Sequence, residues 1–172
     1  MKRPSWYGIA PALFVVMMTV TLAVPATPDP IGILRFADAD GHTIALDAPG
    51  VLYLVDFWAL ECKPCMQEMP ELERLAKEYE PSGRFRLVSV VYGGWKGRQL
   101  RVVASRTGTG LIPYSDPEDW LGRLEVDVYP TKLLIRDGKL LRRARGGGTG
   151  TYATWKKAID DELRVPLIAS PP

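Results

Sequence analysis

The stretch VLYLVDFW, residues 51–58, is apolar at every position but one. A run of that length without polar alternation needs cover on both faces, as a strand inside a parallel sheet has. It passes through ALECKPC into MQEMPELERLAKEY, where Met69, Leu72, Leu75, Ala76 and Tyr79 recur at helical spacing with Glu and Lys on the other face. The chain must therefore build a covered sheet whose buried strand feeds a helix. Cys62 and Cys65, the only cysteines in 172 residues, sit at that hand-over.

Other segments fill in the architecture. ILRFADADGHTIALDA places apolar runs on either side of Asp40-Gly41, a hairpin signal. FRLVSVVY, residues 85–92, is a second buried strand, RQLRVVAS a short helix and LIPY a brief strand. PEDWLGRL reads as a helix with Pro117 in its first turn after Asp116. TKLLIRDGKLLRRA is a hairpin turning at Asp137-Gly138; a glycine loop over residues 146–150 follows, then the amphipathic helix TYATWKKAIDDEL. This order implies an α/β sandwich: a central mixed sheet flanked by helices, with an N-terminal β-hairpin extension. GGGTGT lacks the Lys-Ser/Thr ending of a phosphate-binding loop, which argues against a nucleotide site.

Composition excludes some functions. With 47% hydrophobic and 24% charged residues the chain can form a core without disulfide staples. A net charge of +2 with both signs interspersed leaves no nucleic-acid footprint, and Arg142-Arg143-Ala144-Arg145 reads as a solvated strand face. The N-terminus is more specific: Met1-Lys2-Arg3 precedes IAPALFVVMMTVTLAV, residues 9–24, and Val24-Pro25-Ala26 offers a cleavage site. Residues 1–26 are thus expected to be a signal peptide or a retained membrane anchor, with the basic end inside and the remainder extracytoplasmic. A Pro-rich linker over 27–32, a domain over 33–164 and a tail over 165–172 complete the expected layout. No cysteine follows the apolar run to carry a lipid.

Two cysteines three apart admit three uses: a structural disulfide, half of a metal site, or a cycling dithiol. A disulfide closing so short a loop constrains the unfolded chain little. A structural zinc takes four ligands, and the further candidate, His42, falls in a distant hairpin turn. A Cu(I) carrier needs only two thiolates and remains open. For the redox use, a helix N-terminus favours the thiolate, the attacking species in disulfide exchange. Cys62 would then be the exposed nucleophile and Cys65, one turn on, the resolving thiol. Pro64 suits the first helical turn. Asp56 interrupts the apolar strand six residues before Cys62, and a poorly solvated carboxyl there could exchange the proton of Cys65.

Together, VDFWALECKPCMQEMPEL and VDVYPTKLLIRDGKL resemble the thioredoxin-fold family, in its exported TlpA/ResA/DsbE-like branch. The likeness runs over residues 33–163. It implies a thioredoxin-like sandwich, catalytic Cys62, Cys65 and Asp56, a helix proline at Pro70, and a cis-proline at Pro130 facing the disulfide. It also implies a docking surface from Trp58, Lys63, Pro64, Tyr129 and Pro130. Implied further are no cofactor, exported protein substrates with cysteine pairs (apocytochrome c or copper-site assembly proteins), and a membrane thiol–disulfide electron donor. Disulfide reduction is the expected activity; an oxidase would use the same residues but usually carries a helical insertion, for which residues 93–129 seat too short a segment. The family commonly has tryptophan before the first cysteine, and Glu61 stands there. Its carboxylate opposes a thiolate at Cys62 while Lys63 favours one.

Overall fold

The computed structural model describes residues 31–148 and 150–164. The signal peptide or anchor expected over 1–26, most of the linker and the 165–172 tail lie outside those residues. Among the described residues no helix is long and apolar enough to cross a membrane.

The expected central strand is β3, Leu52–Trp58, with all seven side chains buried. It pairs in parallel with β4, Phe85–Val91, and antiparallel with β6, Thr131–Arg136. The short β5, Pro113–Tyr114, and β7, Lys139–Arg145, close the five-stranded order β5-β4-β3-β6-β7. β6 and β7 are joined at Asp137-Gly138, both with positive φ (50° and 69°), the backbone that a two-residue hairpin turn requires. A separate antiparallel hairpin, β1 Arg35–Ala37 with β2 Thr43–Ala45, is tied to the main sheet by hydrogen bonds between Ala37 and Ser115. Ile31, at the end of the expected linker, already donates to Gly138 O at 3.0 Å.

Alternation along β3 assigns its two faces. Tyr53, Val55 and Phe57 pack with Leu34 and Phe36 of the hairpin segment and with Trp120 and Val126. Leu52 and Leu54 pack against Leu72 and Leu75 of α1, Lys63–Tyr79, and against Trp155 and Ile159 of α4, Thr151–Arg164. Each such leucine, fully buried, contributes about 2 kcal/mol. At the end of the sheet, Trp58, Cys65, Met69 and Val91 meet Leu100 and Val103 of α2, Gly97–Arg106. A third core thus forms directly under the cysteine pair.

One element departs from expectation. The helix expected at Pro117 is the single turn α3, Trp120–Arg123, and Pro117 precedes it. Asp119 adopts a left-handed conformation (φ 54°) and caps Gly122 N–H, while Asp116 Oδ2 accepts from Leu121 N–H at 2.8 Å. Two acidic caps therefore fix the start three residues later than Pro117 suggests. His42 lies in the β1–β2 turn, exposed, with Nδ1 3.2 Å from Asp38 Oδ2.

Candidate active site

Cys62 and Cys65 form a disulfide at the start of α1, with Cα atoms 5.2 Å apart. Cys62 is the N-cap residue in extended conformation, and its Sγ accepts from Cys65 N–H at 3.2 Å. Lys63 and Pro64 are the first two helical residues, where proline removes no intrahelical bond. Cys65 is wholly buried and Cys62 half-buried, so a partner can reach only the first sulfur readily. The first turn of α1 carries no acidic residue, which leaves its unpaired N–H groups facing Cys62. Pro70 lies inside α1 on its exposed side.

The Tyr129–Pro130 peptide bond is cis. Tyr129 packs against the cluster that holds Cys65 and Trp58, and its ring lies 5.5 Å from that of Tyr92, which is 57% exposed. Burial, and then the neighbouring Tyr92 hydroxyl, push the Tyr129 phenol above its ordinary value. Of the expected docking residues, Lys63 is exposed, Pro64 and Tyr129 are half-buried, and Pro130 is buried behind Tyr129. Trp58 is a correction: it is 0% exposed and donates its indole N–H to Ser89 Oγ at 2.8 Å. It supports the disulfide from below and presents no surface to a partner, because β3 is covered on both faces.

Behind Cys65 lies an arrangement only partly legible in the sequence. Asp56 is 0% exposed and neither carboxyl oxygen has a hydrogen bond. Lys132, opposite Asp56 on β6, brings Nζ to 3.2 Å from Asp56 Oδ1 as an ion pair. Its bond goes instead to Glu68 Oε1 on α1, and Glu68 Oε2 accepts from Thr151 Oγ1 of α4 at 2.8 Å. Burial pushes the Asp56 carboxyl up to about 6, with the Lys132 charge opposing and the Glu68 charge adding. Glu68 stands three residues after Cys65, one turn along the same buried face of α1. A carboxyl that titrates at about 6, enclosed with Glu68 of α1, is able to give or take a proton.

Glu68, Lys132 and Thr151 were not among the candidates read from the sequence. Glu68 interrupts the apolar stripe Cys65, Met69, Leu72, and Lys132 interrupts the apolar strand TKLLIR. Those two irregularities were the available signals.

Comparison with known proteins agrees with this geometry. The chain is 61% identical over 114 residues to the thioredoxin-like protein YneN of Bacillus subtilis (strain 168), a match spanning 66% of each protein. Its fold matches a Chlorobium tepidum structure described as thiol:disulfide interchange protein DsbE (TM-score 0.68, 24% identity, 80% of this chain and 98% of that one). It also matches the exposed lipoprotein thioredoxin Etrx1 of Streptococcus pneumoniae strain TIGR4 (TM-score 0.60, 24% identity, 76% and 99%). No family model matches the chain. A thioredoxin-like sandwich with a disulfide at the head of its first long helix defines a class of dithiol proteins. The chain belongs to the thioredoxin-like protein family.

Proposed function

We propose that this chain is an extracytoplasmic reductant of disulfides in other exported proteins. The observation that carries the reading is the half-buried Cys62 at the helix start, joined to a buried Cys65 with a titratable carboxyl behind it. In the reduced chain the Cys62 thiolate attacks one sulfur of the partner disulfide. That S–S bond breaks, a Cys62–partner bond forms, and the partner's first thiolate leaves and takes a proton. Cys65 gives its proton to the Asp56 carboxylate and attacks Cys62 Sγ. The Cys62–Cys65 disulfide forms as the partner's second thiolate leaves. The partner gains two electrons and the chain loses two. A thiol–disulfide donor in the membrane would restore the dithiol.

Tyr129 packs on the same cluster as Cys62, and a substrate chain laid along the Tyr129 backbone would be held by main-chain hydrogen bonds. The apolar stretch at 9–24 and the exposed setting named for the pneumococcal relative support export. Substrates fitting this reading are exported proteins with paired cysteines, apocytochrome c and copper-site assembly proteins among them.

The test is turnover of an exported protein disulfide by the reduced full chain. Cys62→Ser is expected to abolish turnover, and Cys65→Ser to accumulate a mixed disulfide visible by mass spectrometry. Wild-type turnover in Cys62→Ser would remove the nucleophile assignment. Tight Cu(I) binding without any reversible thiol couple would instead favour the carrier reading.

A further inference from the structure

The turn that carries Cys62 runs into a groove that the exchange chemistry leaves unused. The groove has a volume of about 290 Å3 and an apolar floor of Leu60, Trp95, Val102 and Val103. Leu60 lies inside the turn closed by Cys62 N–H donating to Ala59 O at 3.0 Å. Leu60, Trp95 and Cys62 pack on one core cluster. The rim of the groove is cationic. Arg98, Val102 and Arg106 recur every fourth residue of α2 and so share one face of that helix. α2, GRQLRVVASR, has three arginines and no acid, with Lys96 at its N-cap. Arg101, on the other flank, is held by Asp40 Oδ1 at 2.7 Å. Among the described residues no acid lines the groove and no ion pair holds Arg98 or Arg106. Both are exposed, and Val102 between them is 49% exposed.

We propose that this groove docks an acidic segment of the partner protein, with one apolar residue over Val102 and a carboxylate on each of Arg98 and Arg106. It thereby selects partners whose reducible disulfide lies beside such a segment. This rests on the reading of Cys62–Cys65 as a pair that reduces partner disulfides. The helix sets the spacing. Eight residues at about 1.5 Å each place the two arginines ~12 Å apart along α2. An extended chain advances about 3.3 Å per residue, so acids four positions apart match that span. Glu61, exposed next to Leu60, repels a carboxylate at the near end and so directs the acids along α2. An anionic membrane would satisfy the same arginines, but it would lie over Leu60, in the turn that carries Cys62, where the partner must approach.

The probes are two peptides, each with an internal disulfide flanked on both sides by an arm, Glu-Ala-Leu-Ala-Glu in one and Gln-Ala-Leu-Ala-Gln in the other. The reduced full chain is expected to reduce the acidic peptide faster at low salt, its second-order rate constant higher by about threefold or more, as two exposed ion pairs allow. The ratio should fall toward one in about 0.5 M salt, where exposed charges are screened. The variant Arg98→Gln/Arg106→Gln should bring it to about one at low salt as well. Lys139→Gln/Arg142→Gln, which removes two exposed charges from β7 at the far edge of the sheet, should keep it. Equal rates for the two peptides in wild type overturn the proposal. So does a preference that survives the α2 variant, or one lost equally in the β7 variant. Vesicles of phosphatidylglycerol that bind the full chain only when Arg98 and Arg106 are present, with the peptides not distinguished, also overturn it and make the face a lipid surface. Failure of the underlying reading looks different: neither peptide, nor bis(2-hydroxyethyl) disulfide, which has no arm to dock, would be reduced, and the proposal falls with it.

Discussion

Burial raises the Asp56 carboxyl from 3.8 to about 6, with the Lys132 charge opposing and the Glu68 charge adding. The consequence for stability has a definite sign. Below 3.8 the carboxyl is protonated in folded and unfolded chains alike, and its stabilising effect relative to the ionised form is fully present. Between 3.8 and 6 only the unfolded chain ionises, so stability falls as pH rises. Above 6 the whole loss, about 3 kcal/mol at most, is in place. Asp56→Asn should therefore make the oxidised protein more stable than wild type at pH 7, by up to ~3 kcal/mol. The gain should shrink steadily toward pH 4 in urea titrations. A gain independent of pH would trace to packing, not ionisation. A buried carboxyl whose ionisation costs stability, even beside the Lys132 ammonium, is what a proton-exchange role requires and what stability alone would select against.

At the level of elements, the connection from β7 to α4 is set by one close approach. A Cβ on Gly147 would lie 2.4 Å from Pro130 Cγ and 2.5 Å from Glu68 Oε2. Pro130 is held in a ring and Glu68 by Lys132 and Thr151, so neither neighbour can give way cheaply. Gly147→Ala is expected to destabilise by about 1–3 kcal/mol, as overpacking does. Gly148 has open space at the same point and no positive φ, so Gly148→Ala should change stability by less than about 0.5 kcal/mol. Equal urea midpoints for the two variants would refute the packing argument. Gly147, within the glycine loop read from the sequence, thus lies close against the buried Glu68. Sequence periodicity located the strands, both hairpins and the long helices, because those patterns are local. It misplaced α3, whose start depends on a left-handed Asp119. It also passed over Glu68 and Lys132, which lie 64 positions apart and make sense only as a pair. A lone charge in an apolar pattern signals that a partner exists without saying where.

For the molecule as a whole, the open quantity is the direction in which electrons flow through Cys62–Cys65. Strong oxidants of this kind owe their potential to a stabilised thiolate, because whatever stabilises the thiolate stabilises the reduced form. Two features favour the thiolate here, the N-terminus of α1 and Lys63 at its first position. Glu61 opposes them from solvent, and behind the pair stand two carboxyls against one ammonium. With every group ionised, Glu61, Lys63, Asp56, Glu68 and Lys132 carry one net negative charge, which disfavours a further anion on sulfur. The potential should accordingly lie nearer about −270 mV, as in thioredoxin, than about −120 mV, as in a strong oxidant. Equilibration of the full chain in graded thiol buffers, with free thiols counted by alkylation, measures it. Glu61→Gln should make the couple more oxidising, but by no more than about 20 mV, because an exposed charge is screened. A potential near −120 mV in wild type would make the chain an oxidant. A much larger shift in Glu61→Gln would mean that Glu61 is shielded from water when it acts on Cys62.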